Sequence, residues 1–408
     1  MDVYKKLGVK RIINCFDTYT LLGGATLSEE VRAAMEEADK NFAWMWDLEE
    51  KAGRRIAELV GAEAAFVTPG AFAGLAMGAA ACMTGKDPEK MRRLPDTTGM
   101  KNEIIIQRCL RDFKYDRSMI IAGGKLVEVG DEHQGCSPEQ IEAAISERTA
   151  AIHYMAHGVT AGFASENCNV VPLEEVVEIG HRHDVPIIVD AAYQCYPLEG
   201  LRKYVTMGVD LAAYSCKYFG GPNTAGLLLG RKDLIEAVAL HSFLGQEGGP
   251  EGKDFLIKGE RGPYASVFRG YKLDRSSIVG AVVALERYMN IMRNPEKVLR
   301  PAREKLDYLM KALGGIPDIR MTVLDARTPG VDPLKIALQI TLDKETPEGT
   351  HRIARELMSG DPEIWPELRG NSLIINITSF RGLMLLAEGD AEILAERLKS
   401  VLSKEGRR

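Results

Sequence analysis

The sequence predicts an α/β protein, with a mainly parallel sheet covered on both faces by helices and then a smaller α+β domain. Three observations carry this. Short apolar runs at 64–68, 103–107, 125–129, 150–155, 186–190 and 211–215 have strand length, and helical stretches at 138–146 and 173–183 separate several of them. Such alternation builds crossover units, and hence parallel strands buried on both faces. After Asn294-Pro295 the pattern changes: 298–313 is largely helical, 321–324, 335–342 and 372–378 are strand-like, and 391–402 closes as a helix. At 408 residues the chain suits about two to three domains. The boundaries read from it are an N-terminal segment 1–45, a large domain 46–293 and a small C-terminal domain 294–408.

Ser28 precedes Glu29-Glu30-Val31 as a helix cap. Ala52, Ile56, Ala57 and Val60 recur at helical spacing and predict a helix over 48–60. The strand 64–68 ends in Pro69-Gly70, and the small-residue run 73–83 reads as a buried helix. Ile278, Val279, Val282, Leu285 and Met289 make 276–292 one long helix. In the helix 298–313, Pro301 is tolerable only in the first turn. The Gly- and charge-rich stretch 245–261 is expected as a mobile loop near a site or interface. The chain has no internal repeat and no low-complexity tract.

A net charge of −6 disfavours nucleic-acid or anionic-membrane partners bound by bulk electrostatics. The start Met1-Asp2-Val3-Tyr4-Lys5-Lys6 lacks the basic-then-apolar run of a signal peptide. No apolar stretch approaches the roughly 20 residues of a membrane helix. Seven scattered cysteines, with no CxxC pair, read as reduced thiols in a cytoplasmic protein.

Three strand ends bear chemistry. The first, Thr68-Pro69-Gly70-Ala71-Phe72-Ala73-Gly74, runs from strand through a tight turn into a helix. Unpaired N–H groups and the helix dipole make such a turn a phosphate seat; an ordinary βα turn is the alternative. The second, Ile187-Ile188-Val189-Asp190, delivers a carboxylate to the mouth of the sheet. A buried aspartate there needs a cationic partner. A pyridinium N–H supplies one, while a metal-binding or capping role is the alternative. The third, Tyr214-Ser215-Cys216-Lys217-Tyr218-Phe219-Gly220-Gly221-Pro222, ends a strand in Ser-x-Lys. A lysine so placed is partly desolvated, which lowers its pKa and exposes a nucleophilic amine. Ser215 is a donor for a phosphate oxygen, and a solvated Lys217 is the bland alternative.

In this order the three resemble fold-type I pyridoxal-phosphate enzymes. More narrowly, the chain resembles the bacterial selenocysteine synthase-like family, which includes D-glucosaminate-6-phosphate ammonia-lyase. The resemblance rests on Leu7-Gly8-Val9-Lys10-Arg11-Ile12-Ile13-Asn14, Leu21-Leu22-Gly23-Gly24, Ala52-Gly53 and Gly61-Ala62-Glu63-Ala64-Ala65. Tyr115-Asp116, Val189-Asp190-Ala191-Ala192, Gly220-Gly221-Pro222, Lys272 and Ile278-Val279-Gly280 extend it across the chain.

The resemblance implies a fold-type I aminotransferase-like architecture, with a seven-stranded sheet domain and a small C-terminal domain. It implies a dimer-based assembly, with the active site built between two subunits. It assigns the Schiff base with pyridoxal 5′-phosphate to Lys217 and the pyridinium partner to Asp190. Phosphate contacts fall to Gly70, Ala71, Phe72 and Ser215; Arg269 and Lys272 reach the site or the phosphate, and Arg381 clamps a substrate carboxylate. Members commonly carry a His after the strand equivalent to 103–107. Here the text is Gln107-Arg108-Cys109-Leu110-Arg111, which leaves apolar Leu110 to cover the ring.

The implied reaction is that of a lyase on a small β-hydroxy 2-amino acid, such as the sugar-derived D-glucosaminate 6-phosphate. Transfer to an aminoacyl-tRNA, racemisation, transamination and a non-catalytic cofactor-binding role are the alternatives. No metal site is expected, because His153 and His157 fall at a strand end, where their spacing does not converge.

Overall fold

The computed structural model describes residues 3–156, 168–196, 199–245, 266–379 and 381–405. His157 and residues 246–261 of the expected loop lie outside the described residues. The chain forms two compact units. The larger comprises Leu27–Lys217 with Gly221–Glu286; the smaller comprises residues up to Thr26, Tyr218–Gly220 and Arg287 onward. No described helix is long and apolar enough to cross a membrane.

Strands are numbered along the chain from β1 (Ile12–Cys15), which belongs to the smaller unit. In the larger unit follow β2 (Ala64–Thr68), β3 (Glu103–Gln107), β4 (Lys125–Val129), β5 (Thr149–Met155), β6 (Ile187–Asp190), β7 (Leu211–Ser215) and β8 (Gly226–Gly230). They form one sheet in the order β2-β8-β7-β6-β5-β3-β4. From β4 to β7 all pairs are parallel, and β8 is antiparallel to both neighbours. The mainly parallel sheet expected from the alternation is thus what forms. β5, β6, β7 and β8 are buried along their whole length, as strands covered on both faces must be. β8 escapes the sequence reading because Gly-Leu-Leu-Leu-Gly is short and glycine-bounded. The ten residues from Cys216 to Ala225 are also too few for a crossover, so β8 returns antiparallel.

The small-residue run becomes the helix Ala71–Thr84, buried on nearly every side. Its glycines let it lie close to the sheet: a Cβ at Gly74 would stand 3.2 Å from Thr68 Oγ1, and one at Gly78 would stand 3.1 Å from Leu211 Cδ1. Ser28 caps the helix Glu29–Lys40 by accepting from Val31 N–H at 3.3 Å. The helix Met45–Val60 covers the edge strand β2, where an open row of backbone groups would otherwise invite mispairing. Gly53 permits this approach, since a Cβ there would meet Ala65 O at 2.2 Å.

From the same helix, Glu49 reaches the strand and accepts the Val67 N–H at 2.5 Å. Burial pushes the Glu49 carboxyl up to about 8, against the opposing pull of that hydrogen bond. The folded state therefore prefers the protonated acid. This contribution is fully present below the ordinary value of 4.5 and is lost as pH rises through about 8. At about 1.4 kcal/mol per pKa unit it amounts to a few kcal/mol. Between about pH 5 and about pH 9 the melting temperature should fall several degrees more in the wild type than in Glu49→Gln. Parallel pH profiles would refute the assignment.

The smaller unit holds β9 (Ile319–Leu324), β10 (Ala337–Leu342), β11 (Glu363–Arg369) and β12 (Ser372–Asn376). With β1 they form a sheet ordered β1-β11-β12-β10-β9, in which only the β1–β11 pair is parallel. The helices Glu296–Leu313, Pro347–Met358 and Asp390–Glu405 accompany it. Ile13, Leu309, Ile340, Leu357, Leu373 and Leu398 lie in its core.

β11 contains Pro366, which argues against a strand in the sequence. The proline is tolerated because the ladder to β1 ends at Pro366 and the ladder to β12 begins at Glu367. The helix Glu296–Leu313 starts earlier than the expected 298, so Pro301 stands in its second turn, not its first.

Candidate active site

The parallel register gathers the three predicted strand ends on one edge of the large sheet. Thr68 pairs with Gly226, Gly226 with Ser215, Ala213 with Asp190, and Asp190 with Met155. Adjacent strands lie about 4.8 Å apart, so the turn after β2 and the ends of β7 and β6 are near neighbours.

The turn is built by Gly70, whose φ of +86° only glycine adopts without strain. Gly70 N–H donates to Thr68 O at 2.7 Å, and Thr68 Oγ1 donates to Gly70 O at 2.9 Å. The cap residue Gly70 has no side chain to accept from the helix that starts at Ala71, so its first-turn N–H groups are suited to serve an anion. Phe72, the second residue of that helix, is about one-third exposed. Gly226 presses against the turn from β8, where a Cβ would come within 2.4 Å of Gly70 C.

Asp190 is buried at the end of β6, and its Oδ1 accepts the Ala192 N–H at 3.0 Å. No Lys, Arg or His among the described residues pairs with it. Ser215 is buried at the end of β7, and its N–H donates to Ala192 O at 2.8 Å, tying it to the turn after Asp190. Lys217 is 9% exposed in the short 3-10 turn Cys216–Phe219. Cys216 is fully buried, and burial pushes its thiol well up, which fits a filler and not a nucleophile. Gly221 N–H closes the turn on Cys216 O at 2.8 Å. A buried carboxylate with no Lys, Arg or His partner among the described residues, a lysine held out of bulk water and a helix start with no side-chain cap together suit pyridoxal 5′-phosphate. The carboxylate matches a ring N–H, the amine a carbonyl and the amides a phosphate.

Leu110 is fully buried at the end of the turn Arg108–Leu110, which follows β3 on the same edge of the sheet. Arg269 is half-buried and Lys272 exposed, and no strand of the sheet carries either residue. Arg381 belongs to the smaller unit and is among its most deeply buried side chains. Its guanidinium carbon lies 4.5 Å from the centroid of the Tyr218 ring, a cation–π stack within that unit. His153 is buried in β5, with Nδ1 3.1 Å from Ile188 O. The sequence reading misses Gly226 and Tyr218. Gly226 starts an unread strand, and nothing local marks Tyr218 as the platform of a residue far along the chain.

A family model described as SelA, L-seryl-tRNA selenium transferase, matches residues 17–244. The chain is 31% identical to a 5′-C-glycyluridine monooxygenase-decarboxylase of a Streptomyces species, over 99% of this chain and 92% of that protein. It is also 31% identical to the D-glucosaminate-6-phosphate ammonia lyase of Salmonella typhimurium, over 70% of each. A solved structure of D-glucosaminate-6-phosphate ammonia-lyase shares the fold, with a TM-score of 0.76 at 23% identity, covering 100% of this chain and 99% of that one. This chain therefore belongs to the L-seryl-tRNA selenium transferase family, a family of fold-type I pyridoxal-phosphate enzymes, and its cofactor is pyridoxal 5′-phosphate.

Proposed function

We propose that the protein is an ammonia-lyase acting on a β-hydroxy 2-amino acid, with a sugar-derived acid such as D-glucosaminate 6-phosphate as the leading candidate. The observation that carries this is the shared edge of Asp190, Ser215 and Lys217 beside the uncapped turn, together with 31% identity to a named ammonia lyase. When bound, pyridoxal phosphate supplies a ring that withdraws electrons from the substrate's Cα.

The chain's own residues do the rest. The amides of Ala71 and Phe72 after Gly70, with Ser215 Oγ, hold the phosphate. Asp190 keeps the ring nitrogen protonated, and Leu110 covers the ring and excludes water. Lys217 Nζ would hold the cofactor and, with substrate bound, would take the proton from Cα. The same ammonium gives that proton to the departing β-hydroxyl, so water leaves. Hydrolysis, which returns one water, yields a 2-keto acid and ammonia with no outside oxidant. Arg381 binds the substrate carboxylate through its planar fork. Lys272, exposed in one chain, and Arg269 complete a neighbouring protomer's site in a homodimer or higher dimer-based oligomer in the cytoplasm.

A second reading comes from the full-length likeness to a monooxygenase-decarboxylase, which favours oxygen-dependent loss of the carboxylate from an amino acid. A panel of β-hydroxy 2-amino acids, phosphorylated sugar acids included, separates the two. Ammonia and keto acid in equal amounts, without oxygen uptake, are expected. Carbon dioxide release with oxygen consumption would establish the second reading instead, and no turnover of any member would overturn the first.

A further inference from the structure

The large sheet borders a second cavity, on the face turned away from Asp190 and Ser215. Asp190 pairs with Ala213, which alternates with Leu211 and Ser215 along β7. Leu211 and Ala213 share a core with Leu75 and Met77 of the helix Ala71–Thr84, so Asp190 and Ser215 are on that helix's face. Tyr154 pairs with Val189, the neighbour of Asp190, and therefore points to the opposite face, as Tyr214 does. There, beside the helices Leu173–Arg182 and Gly200–Thr206, lies a cavity of about 960 Å³. The described residues that line it all belong to the larger unit. Tyr214 Oη donates to Gly200 O at 3.0 Å, and its ring centroid is 6.4 Å from that of Tyr204, which fixes the shorter helix against the sheet.

Two phenols face this space. Tyr154 is 6% exposed and Tyr204 5% exposed, and both line the cavity. Neither hydroxyl is sealed inside the protein or hydrogen-bonded to a described residue. Burial pushes the Tyr204 phenol up to about 12 and raises that of Tyr154 as well, so both stay protonated and able to donate. Val170, Leu173 and Met207 add apolar wall. At the rim Glu174 and Glu199 stand with Arg202 and Lys203, all four exposed, and their charges cancel. We propose that this cavity is a second small-molecule site, which takes an uncharged, mainly apolar ligand presenting a carbonyl oxygen to the two phenols.

Each feature selects part of that chemistry. Apolar walls with a few convergent polar groups, in a space of this size, bury most of a small organic molecule. A ligand with an acceptor oxygen satisfies the phenols, whereas one without it leaves both hydroxyls desolvated and unpaired. An anion would have to leave water beside Glu174 and Glu199, and a cation beside Arg202 and Lys203, so neither sign of charge is favoured. Because the phenols and Asp190 point to opposite faces of the sheet, a ligand held by the phenols does not touch Asp190.

Coumarin, an uncharged bicycle with a lactone carbonyl, is the probe. Titrated calorimetrically into the holoenzyme, it should bind once per chain with a Kd below about 1 mM. The cofactor's absorbance band should not move. Tyr154→Phe and Tyr204→Phe keep the ring and its packing, and each should weaken binding about three- to tenfold. Their melting temperatures and cofactor bands should match the wild type. Coumarin-3-carboxylate, the same bicycle with a negative charge, should bind at least about tenfold more weakly than coumarin. No coumarin binding at that concentration, an unchanged affinity in either variant, a carboxylate that binds as well as coumarin, or a shifted cofactor band would overturn the proposal.

Discussion

Lys217→Ala protein should fold, bind pyridoxal phosphate only loosely and turn over substrate at least about 10³-fold more slowly than the wild type. The reason lies in where the lysine sits. Lys217 is 9% exposed at the mouth of the sheet, one residue past the buried Cys216 that anchors the turn. Removing the amine leaves β7, β8 and the Gly221–Cys216 closure intact, so the melting temperature should change by only a few degrees. The wild type should absorb at roughly 410–430 nm, as expected for this cofactor joined to a lysine, and the variant should lose that band. A variant that keeps both the band and the activity would remove Lys217 from the centre of the site.

Asp190→Asn should separate a functional aspartate from a structural one, because the two roles predict opposite changes in stability. Asparagine keeps the volume and the Oδ1 that accepts Ala192 N–H. It loses the charge that would keep a ring nitrogen protonated. With the cofactor loaded to the same extent, kcat should fall by about 10²- to 10⁴-fold. The apo protein should melt at the same temperature or a few degrees higher, since a buried carboxylate with no cationic partner among the described residues costs stability in the empty site. A drop in apo melting temperature with little loss of kcat would make Asp190 a scaffold residue.

Much of this was legible in the sequence, for a local reason. A strand buried on both faces is a nearly continuous apolar run, so β2, β3 and β7 could be read with their ends in place. The residues proposed for the site stand just where those runs stop, at Gly70, Asp190, Ser215 and Lys217. Each of these residues is marked by its immediate neighbours. Lys272, Arg269 and Arg381 carry no such local mark. Their assignments came from family resemblance alone, and the structure finds the first exposed, the second half-buried and the third deeply buried.

Other features depended on pairings between distant segments. β1 lies near the start of the chain yet completes the C-terminal sheet, and its four residues have no period that announces a partner some 350 positions away. β11 was hidden by Pro366, which is harmless only because two ladders meet there. The tie between the end of β3 and the segment before the helix Leu173–Arg182 arises from the Gln107–Val171 and Cys136–Asn169 bonds, not from any local pattern.

The sequence by itself determined the large α/β sheet and the residues at its carboxyl edge, because the burial and turn chemistry that specify them act within a few residues. Tertiary structure alone decided that β8 runs backwards against the turn at Gly70, that Glu49 seals the edge of β2 as a buried acid, and that Arg381 rests on Tyr218. Each of these depends on which surfaces are pressed together once the chain has closed, and that information is spread over the whole sequence.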